Sequence, residues 1–399
     1  MINIEDPKDC CGCTACVSIC ARDAITMKPD ALGFLYPSVE ASKCIECGAC
    51  EKVCQFNDNY DKSLNLDQPL VFGARHKNIN EVMKSRSGAV FVAISDYILE
   101  QGGVVYGAGY KDHFRVCHKR ATTKEERDGF RGSKYVQSDL TGVFRQIKED
   151  LKNGLTVLFS GTGCQCAGLN AYIGKKLREN LIIIDIVCHG VPGPYLWRDY
   201  LDYLEQKYKD TIVSVNFRDK EKYGWRAHRK TFVMKKRGGY NCLIFTMLFY
   251  HHIGFRHSCG ICHFCNTVRP SDITLADFWD RANNFPDVNK DDKGESLLLI
   301  NTEKGREIFE AVKDRLDYFQ TTTDKVMQTH LREPSKIHPQ RMQFEADYKR
   351  YGFEHAMKRF GLMGWKYDFY KLKKQVKKIL KALIIRLVRS KKMKIKLYL

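Results

Sequence analysis

Beyond a polar stretch that ends near Pro69, apolar positions switch repeatedly between two periods. Short runs at 71–76 (VFGARH), 102–110 (GGVVYGAGY), 114–122 (FRVCHKRAT) and 156–161 (TVLFSG) suit strands, and 181–187 (LIIIDIV) has the unbroken apolar character of a strand covered on both faces. Stretches at 88–101, 142–154, from about 164, and at 195–208 carry apolar residues at helical spacing. Further strands are expected near 211–218, 231–236 and 296–301, with a helix at 303–316. Strands alternating with helices predict an α/β domain. Upstream, 25–37 (ITMKPDALGFLYP) predicts a hairpin turning at 29–33.

Composition adds limits. A 44% hydrophobic content is ordinary for a globular chain, and no apolar stretch approaches the 18 residues of a membrane-spanning helix. The net charge of +19 is uneven: residues 371–399 hold twelve Lys and Arg and no Asp or Glu, leaving +7 on the rest. In this tail Leu372, Val376, Ile379, Leu380, Leu383, Ile384, Leu387 and Val388 fall on one helical stripe among the cations. Such a basic amphipathic C-terminal helix suits either an anionic membrane surface or a docking stripe on protein. It lacks interleaved aromatics and any groove-reading motif, so nucleic acid is not the expected partner. The polar, acidic start MINIEDPKD is no secretory leader, so the expected location is cytoplasmic, peripheral on the inner membrane face if the tail binds lipid.

Nine of the seventeen cysteines lie in the first 54 residues. Cys10, Cys13, Cys16, Cys20 and again Cys44, Cys47, Cys50, Cys54 each read C-x2-C-x2-C-x3-C, the bacterial ferredoxin spacing in which three thiolates wrap one cubane and the fourth reaches the other. One [4Fe-4S] cluster is therefore assigned to Cys10, Cys13, Cys16 and Cys54, the other to Cys44, Cys47, Cys50 and Cys20. A structural zinc site has no use for a third Cys two residues on, and a disulfide framework needs an oxidising compartment. Ala21 and Gln55 stand where a Pro is usual, which removes no ligand. Cys11 is expected to be a bystander. A second run, Cys259, Cys262 and Cys265, supplies three thiolates for a third cubane. The fourth is Cys188 or Cys242, with Cys188 preferred because open α/β sheets build sites at strand ends; a zinc knuckle using His257 or His263 is the competing reading.

Three short turns could hold a ligand. Gly161, Thr162, Gly163, Cys164 and Gln165 follow a strand and open a helix, an arrangement that suits flavin phosphates. Ser87 and Gly88 open another helix, and Lys134 could place an ammonium beside the same phosphates. Each would equally serve as an ordinary helix cap.

The chain resembles the coenzyme F(420) hydrogenase/dehydrogenase beta-subunit family. The resemblance rests on Ser87-Gly88, residues 132–138 (GSKYVQS), 161–165 (GTGCQ), 188–192 (CHGVP), 217–220 (FRDK) with Gly224-Trp225, 259–265 (CGICHFC) and 271–279 (SDITLADFW), in that order. It implies FAD near Ser87, Lys134 and Thr162, a further [4Fe-4S] cluster beside it, and Cys188 as that cluster's fourth ligand. The family often has Gly where Ala89 stands and Pro where Gly163 stands. The expected organisation is an α+β ferredoxin-like module at 1–58, an α/β flavin-binding domain at 69–320, an extension without assigned chemistry at 321–370, and the tail. The expected function is an iron–sulfur flavoprotein oxidoreductase linking a ferredoxin or other redox protein to a deazaflavin or similar two-electron carrier. The alternative is a non-catalytic relay subunit of a larger redox or polysaccharide-modifying system. Lys134, His189 and Asp277 are candidate acids only.

Overall fold

The computed structural model describes residues 1–57, 60–280, 283–365, 367–369, 372, 373 and 376. Its strands are β1 Ile25–Pro29, β2 Leu35–Val39, β3 Asn65–His76, β4 Val104–Lys111, β5 Arg115–Ala121, β6 Val157–Thr162, β7 Leu181–Ile186, β8 Ile212–Asn216, β9 Thr231–Met234, β10 Gly238–Tyr240, β11 Ile273–Asp277, β12 Ser296–Thr302 and β13 Leu316–Thr321. β1 and β2 form the expected hairpin. The body is a sheet ordered β13-β3-β12-β11-β7-β6-β4-β5, in which β4, β6, β7 and β11 run parallel and the other pairings are antiparallel. A smaller sheet, β10-β9-β8, sits apart.

Period-two burial covers both faces of the large sheet, as LIIIDIV requires. Ile182 and Ile184 pack with Val90, Ala93, Ile94 and Ile98 of the helix Val90–Glu100, whereas Leu181 and Ile183 pack with Phe144, Ile147 and Leu169 from the helices Val143–Lys152 and Gly163–Ile173. Buried carboxylates staple the centre. Asp272 accepts from Arg178 at 2.8 and 2.9 Å, from Ile183 N at 2.8 Å and from Thr302 Oγ1 at 2.8 Å. Asp185 pairs with Arg269 and accepts from Ser271 and Thr274. Much of the 271–279 segment is thus structural.

The cluster module does not stand apart from the body. Residues Met1–Arg341 form one compact unit, which runs past the boundary expected near 320. Arg145 donates to Val17 O, Ser18 O and Cys20 O and pairs with Asp23. At Gly168 a Cβ would lie 2.7 Å from Cys13 Sγ, so glycine lets the body helix touch a cluster loop. A second unit, Met342–Leu399, contains helical turns interrupted at Gly352 (φ 79°). The expected tail helix lies, apart from Leu372, Lys373 and Val376, outside the described residues. Among the described residues no helix is long and apolar enough to cross a membrane.

Candidate cluster and ligand sites

The two cysteine loops of the module repeat in backbone as well as spacing. Gly12 (φ 71°) and Thr14 (φ 67°) in the first correspond to Glu46 (φ 52°) and Gly48 (φ 69°) in the second, so the same left-handed residues curl each loop before its short helix. This curl turns backbone N–H groups inward, where they can meet anionic sulfur. Gly12 N donates to Cys10 Sγ at 3.4 Å, Ala24 N to Cys20 Sγ at 3.4 Å and Ile2 N to Cys50 Sγ at 3.3 Å. Cys10, Cys13, Cys16 and Cys54 line one partly open pocket, with Ile2, Ile4 and Phe56 as apolar walls. An all-sulfur donor set around such a space fits a cubane. Cys20 and Cys50 pack together beyond it, and Cys47 is exposed, placing the second ligand set at the surface.

In the body, Cys188, Cys259, Cys262 and Cys265 come together past the C-terminal end of β7. Burial raises Cys188 to about 12 and lifts Cys259 well above an ordinary thiol; Cys164 and Cys262 are neighbours of both, and Cys188 and Cys262 are neighbours of Cys265. A hydrogen bond from Cys265 pulls Cys262 down to about 7. Cys242 instead lies near Lys230 and Lys207 in the lobe of the small sheet.

Cys11, expected to stand outside the ligand set, lies among the neighbouring thiols. It is buried, accepts from Gln55 Nε2 at 2.8 Å and shares side-chain hydrogen bonds with Cys13 and Cys164. Cys164 and Cys11 therefore lie between the body group and the first module group. Arg256, 1% exposed, ties the same two places together. Its guanidinium donates to Cys10 O (2.8 Å), Gln137 Oε1 (3.0 Å), Leu35 O (2.9 Å) and Cys10 Sγ (3.5 Å), while its own carbonyl accepts from Cys259 N. Nothing in the spacing of the cysteines reveals it, although it stands three residues before the second cysteine run.

The expected flavin residues occupy one edge of the sheet, at separate points along it. Thr162 and Gln165 form a capping box for the helix Gly163–Ile173, and Thr162 Oγ1 lies 3.2 Å from Cys164 Sγ. Gly163 is the first helical residue, a position Pro also favours; its Cα faces Phe264, whose Cβ would be 2.8 Å from an added Cβ. Ala89 holds φ 64° as the N-cap of Val90–Glu100, which explains a family Gly there. Ser87 Oγ donates to Glu295 O, and Gly88 N to Ser296 Oγ at 2.9 Å. Lys134 Nζ is held by Gly129 O, Arg131 O and Gly132 O, and burial lowers it to about 7. Of the other candidate acids, His189 contacts His252 at 2.7 Å and is lowered to about 3 by burial, and Asp277 pairs with Arg86 at 2.8 Å.

Residues 154–325 match a family model for the C-terminal region of the coenzyme F420 hydrogenase/dehydrogenase beta subunit, and residues 9–57 match a 4Fe-4S dicluster domain. No curated protein sequence matches. Among solved structures, a chain of the F420-reducing [NiFe] hydrogenase complex from Methanosarcina barkeri, in a xenon-derivatised form, is 17% identical with a TM-score of 0.46, over 75% of this chain and 93% of that one. The chain thus joins an N-terminal 4Fe-4S dicluster ferredoxin domain to a body belonging to the coenzyme F420 hydrogenase/dehydrogenase beta-subunit family.

Proposed function

We propose that the protein is an iron–sulfur flavoprotein oxidoreductase, in which FAD at the sheet edge, a body cluster and the two module clusters form one path. The observation that carries this reading is that Arg256 joins the two cysteine groups, its guanidinium donating to Cys10 O and Cys10 Sγ and its carbonyl accepting from Cys259 N, with Cys164 and Cys11 lying between them. FAD, when bound, exchanges electrons in pairs with a substrate and singly with clusters. The chain's own part is positional. The Thr162 turn meets Cys164, the capped helix fixes both, and exposed Cys47 with Ile45 (63% exposed) offers the far end to a redox protein. A deazaflavin or another small two-electron carrier is the proposed partner at the flavin end.

Anaerobic purification with flavin and iron quantification tests this. Replacing Thr162 and Gln165 with bulky apolar residues should release flavin and leave the module clusters intact; flavin retained by that variant would place it elsewhere. A relay subunit without flavin is favoured by one observation, that Ser87, Lys134 and Gln165 already bond within the protein. Iron without flavin in the purified protein would establish that reading. For the tail we propose attachment to an anionic bilayer, since each basic residue near such a surface adds on the order of 1 kcal/mol. Full-length protein should pellet with anionic vesicles, and a chain ending at Tyr370 should not.

A further inference from the structure

Beside β11 the structure gathers buried cations that the flavin path does not use. Arg218 is 8% exposed, donates from Nη1 to Tyr135 OH at 3.1 Å, and leaves Nε and Nη2 without acceptors. Among the described residues no carboxylate pairs with it. Tyr135 is also a hydrogen-bond partner of Arg86, so the two guanidiniums share one phenol. Arg86 is paired with Asp277 yet keeps a buried, unpartnered Nε. Trp225, 2% exposed with its ring tilted against Trp279 at 4.2 Å, has a buried Nε1 without an acceptor, and Ser85 Oγ is in the same condition. Lys220 and Lys230 add two further buried amines bonded only to neutral oxygens: the carbonyls of Val82 and Ser87, and the Thr246 hydroxyl. Half-buried His228 and exposed Tyr250, in contact with each other, mark the way in.

Buried donors are almost always satisfied, and an unpaired buried cation is costly. Here two guanidiniums meet at Tyr135 with one carboxylate, Asp277, paired to Arg86, and His228 is held down to about 4 by burial and then by Arg218 and Arg86. We propose that Arg86, Arg218, Trp225 and Ser85 form a binding site for a compact oxyanion, the phosphate or carboxylate of a small molecule. The proposal deepens the flavoprotein reading, because the site adjoins Ser87. Two sources share that chemistry: the flavin's own pyrophosphate, or an acidic group on the molecule that exchanges electrons with it. The segments 217–220 and 224–225, which carry part of the family resemblance, thereby gain a common role.

Inorganic phosphate and pyrophosphate are titrated into the full-length holoprotein, with and without its flavin, and followed by calorimetry and by tryptophan fluorescence through the Trp225–Trp279 pair. The expected result is saturable binding that Arg218→Gln weakens tenfold or more and Arg218→Lys partly restores, with cluster absorbance unchanged. Binding to flavin-loaded protein assigns the site to a substrate anion; binding only after flavin removal, competed by FAD, assigns it to the flavin pyrophosphate. Since Arg218→Gln could unfold the lobe, phosphate must also raise the melting temperature of the unsubstituted protein, in its flavin-loaded or its flavin-free form, where equal ionic strength of chloride does not. Absence of that rise, or Arg218-independent binding, overturns the proposal. Protein purified without flavin sinks the flavoprotein reading alone, and the same titration still decides the anion site.

Discussion

Arg256 gives the sharpest expectation about electron flow. Its guanidinium is buried and stands 3.5 Å from Cys10 Sγ, so it should favour the more negative, reduced state of a cluster held by Cys10. Reduction adds one negative charge spread over the centre and its sulfurs. With about a quarter of that charge at the contact distance, the rest roughly twice as far, and an effective dielectric near 20, the stabilisation is on the order of 3 kcal/mol. For a one-electron couple this is roughly 130 mV. Arg256→Met should therefore lower the midpoint of one module cluster by about that amount and leave the other nearly unmoved, since among the described residues Arg256 bonds to the Cys10 loop and not to Cys44, Cys47 or Cys50. Arg256→Lys should recover part of the shift. Potentiometric titration followed by electron paramagnetic resonance reads the potentials separately, and iron content checks that the clusters remain. A shift under about 20 mV in a fully loaded Arg256→Met protein would refute the reasoning.

Iron should amount to about twelve atoms per chain, falling to about eight in Cys188→Ser and staying near twelve in Cys242→Ser; loss of iron in the second variant instead would reassign the body cluster. Asp272→Ala should cost about 3–5 kcal/mol in denaturant unfolding, because Arg178 is left charged, buried and unpaired. Burial lowers Lys230 to about 7, so the folded state resists its protonation: its contribution to stability is complete above the unfolded pKa near 10.4 and is lost as pH falls through about 7. Stability should drop by up to about 1.4 kcal/mol per pH unit across that window, and Lys230→Met should flatten the slope. An unchanged slope in the variant would assign the pH dependence elsewhere.

The cysteine spacings and the alternation of strand and helix were legible in the sequence because each is written in neighbouring residues. β11 was visible only as part of a motif, since its five residues are bounded by Asp272 and Asp277, which read as surface until their arginines are seen. β13 was partly absorbed into a helix expected to reach 316, its burial alternating too weakly to announce an edge strand. The charged residues that matter most, Arg256, Arg218 and Arg86, look like solvated side chains in a linear reading. Only tertiary packing shows that a guanidinium faces sulfur or faces nothing.

Many carriers of single electrons work by leaving: a small cluster protein diffuses, meets its donor, lets go and meets its acceptor, at rates set by viscosity and salt. The close approach at Gly168, with Cys13 against the body helix, makes this chain a fixed conductor instead. Its internal transfers need no encounter and no swing of the linker, so their rates should be indifferent to protein concentration and ionic strength, with the slow, salt-sensitive step confined to the outer end at Cys47. A side chain as small as alanine at 168 would pry the two conductors apart and turn a wire back into a gap.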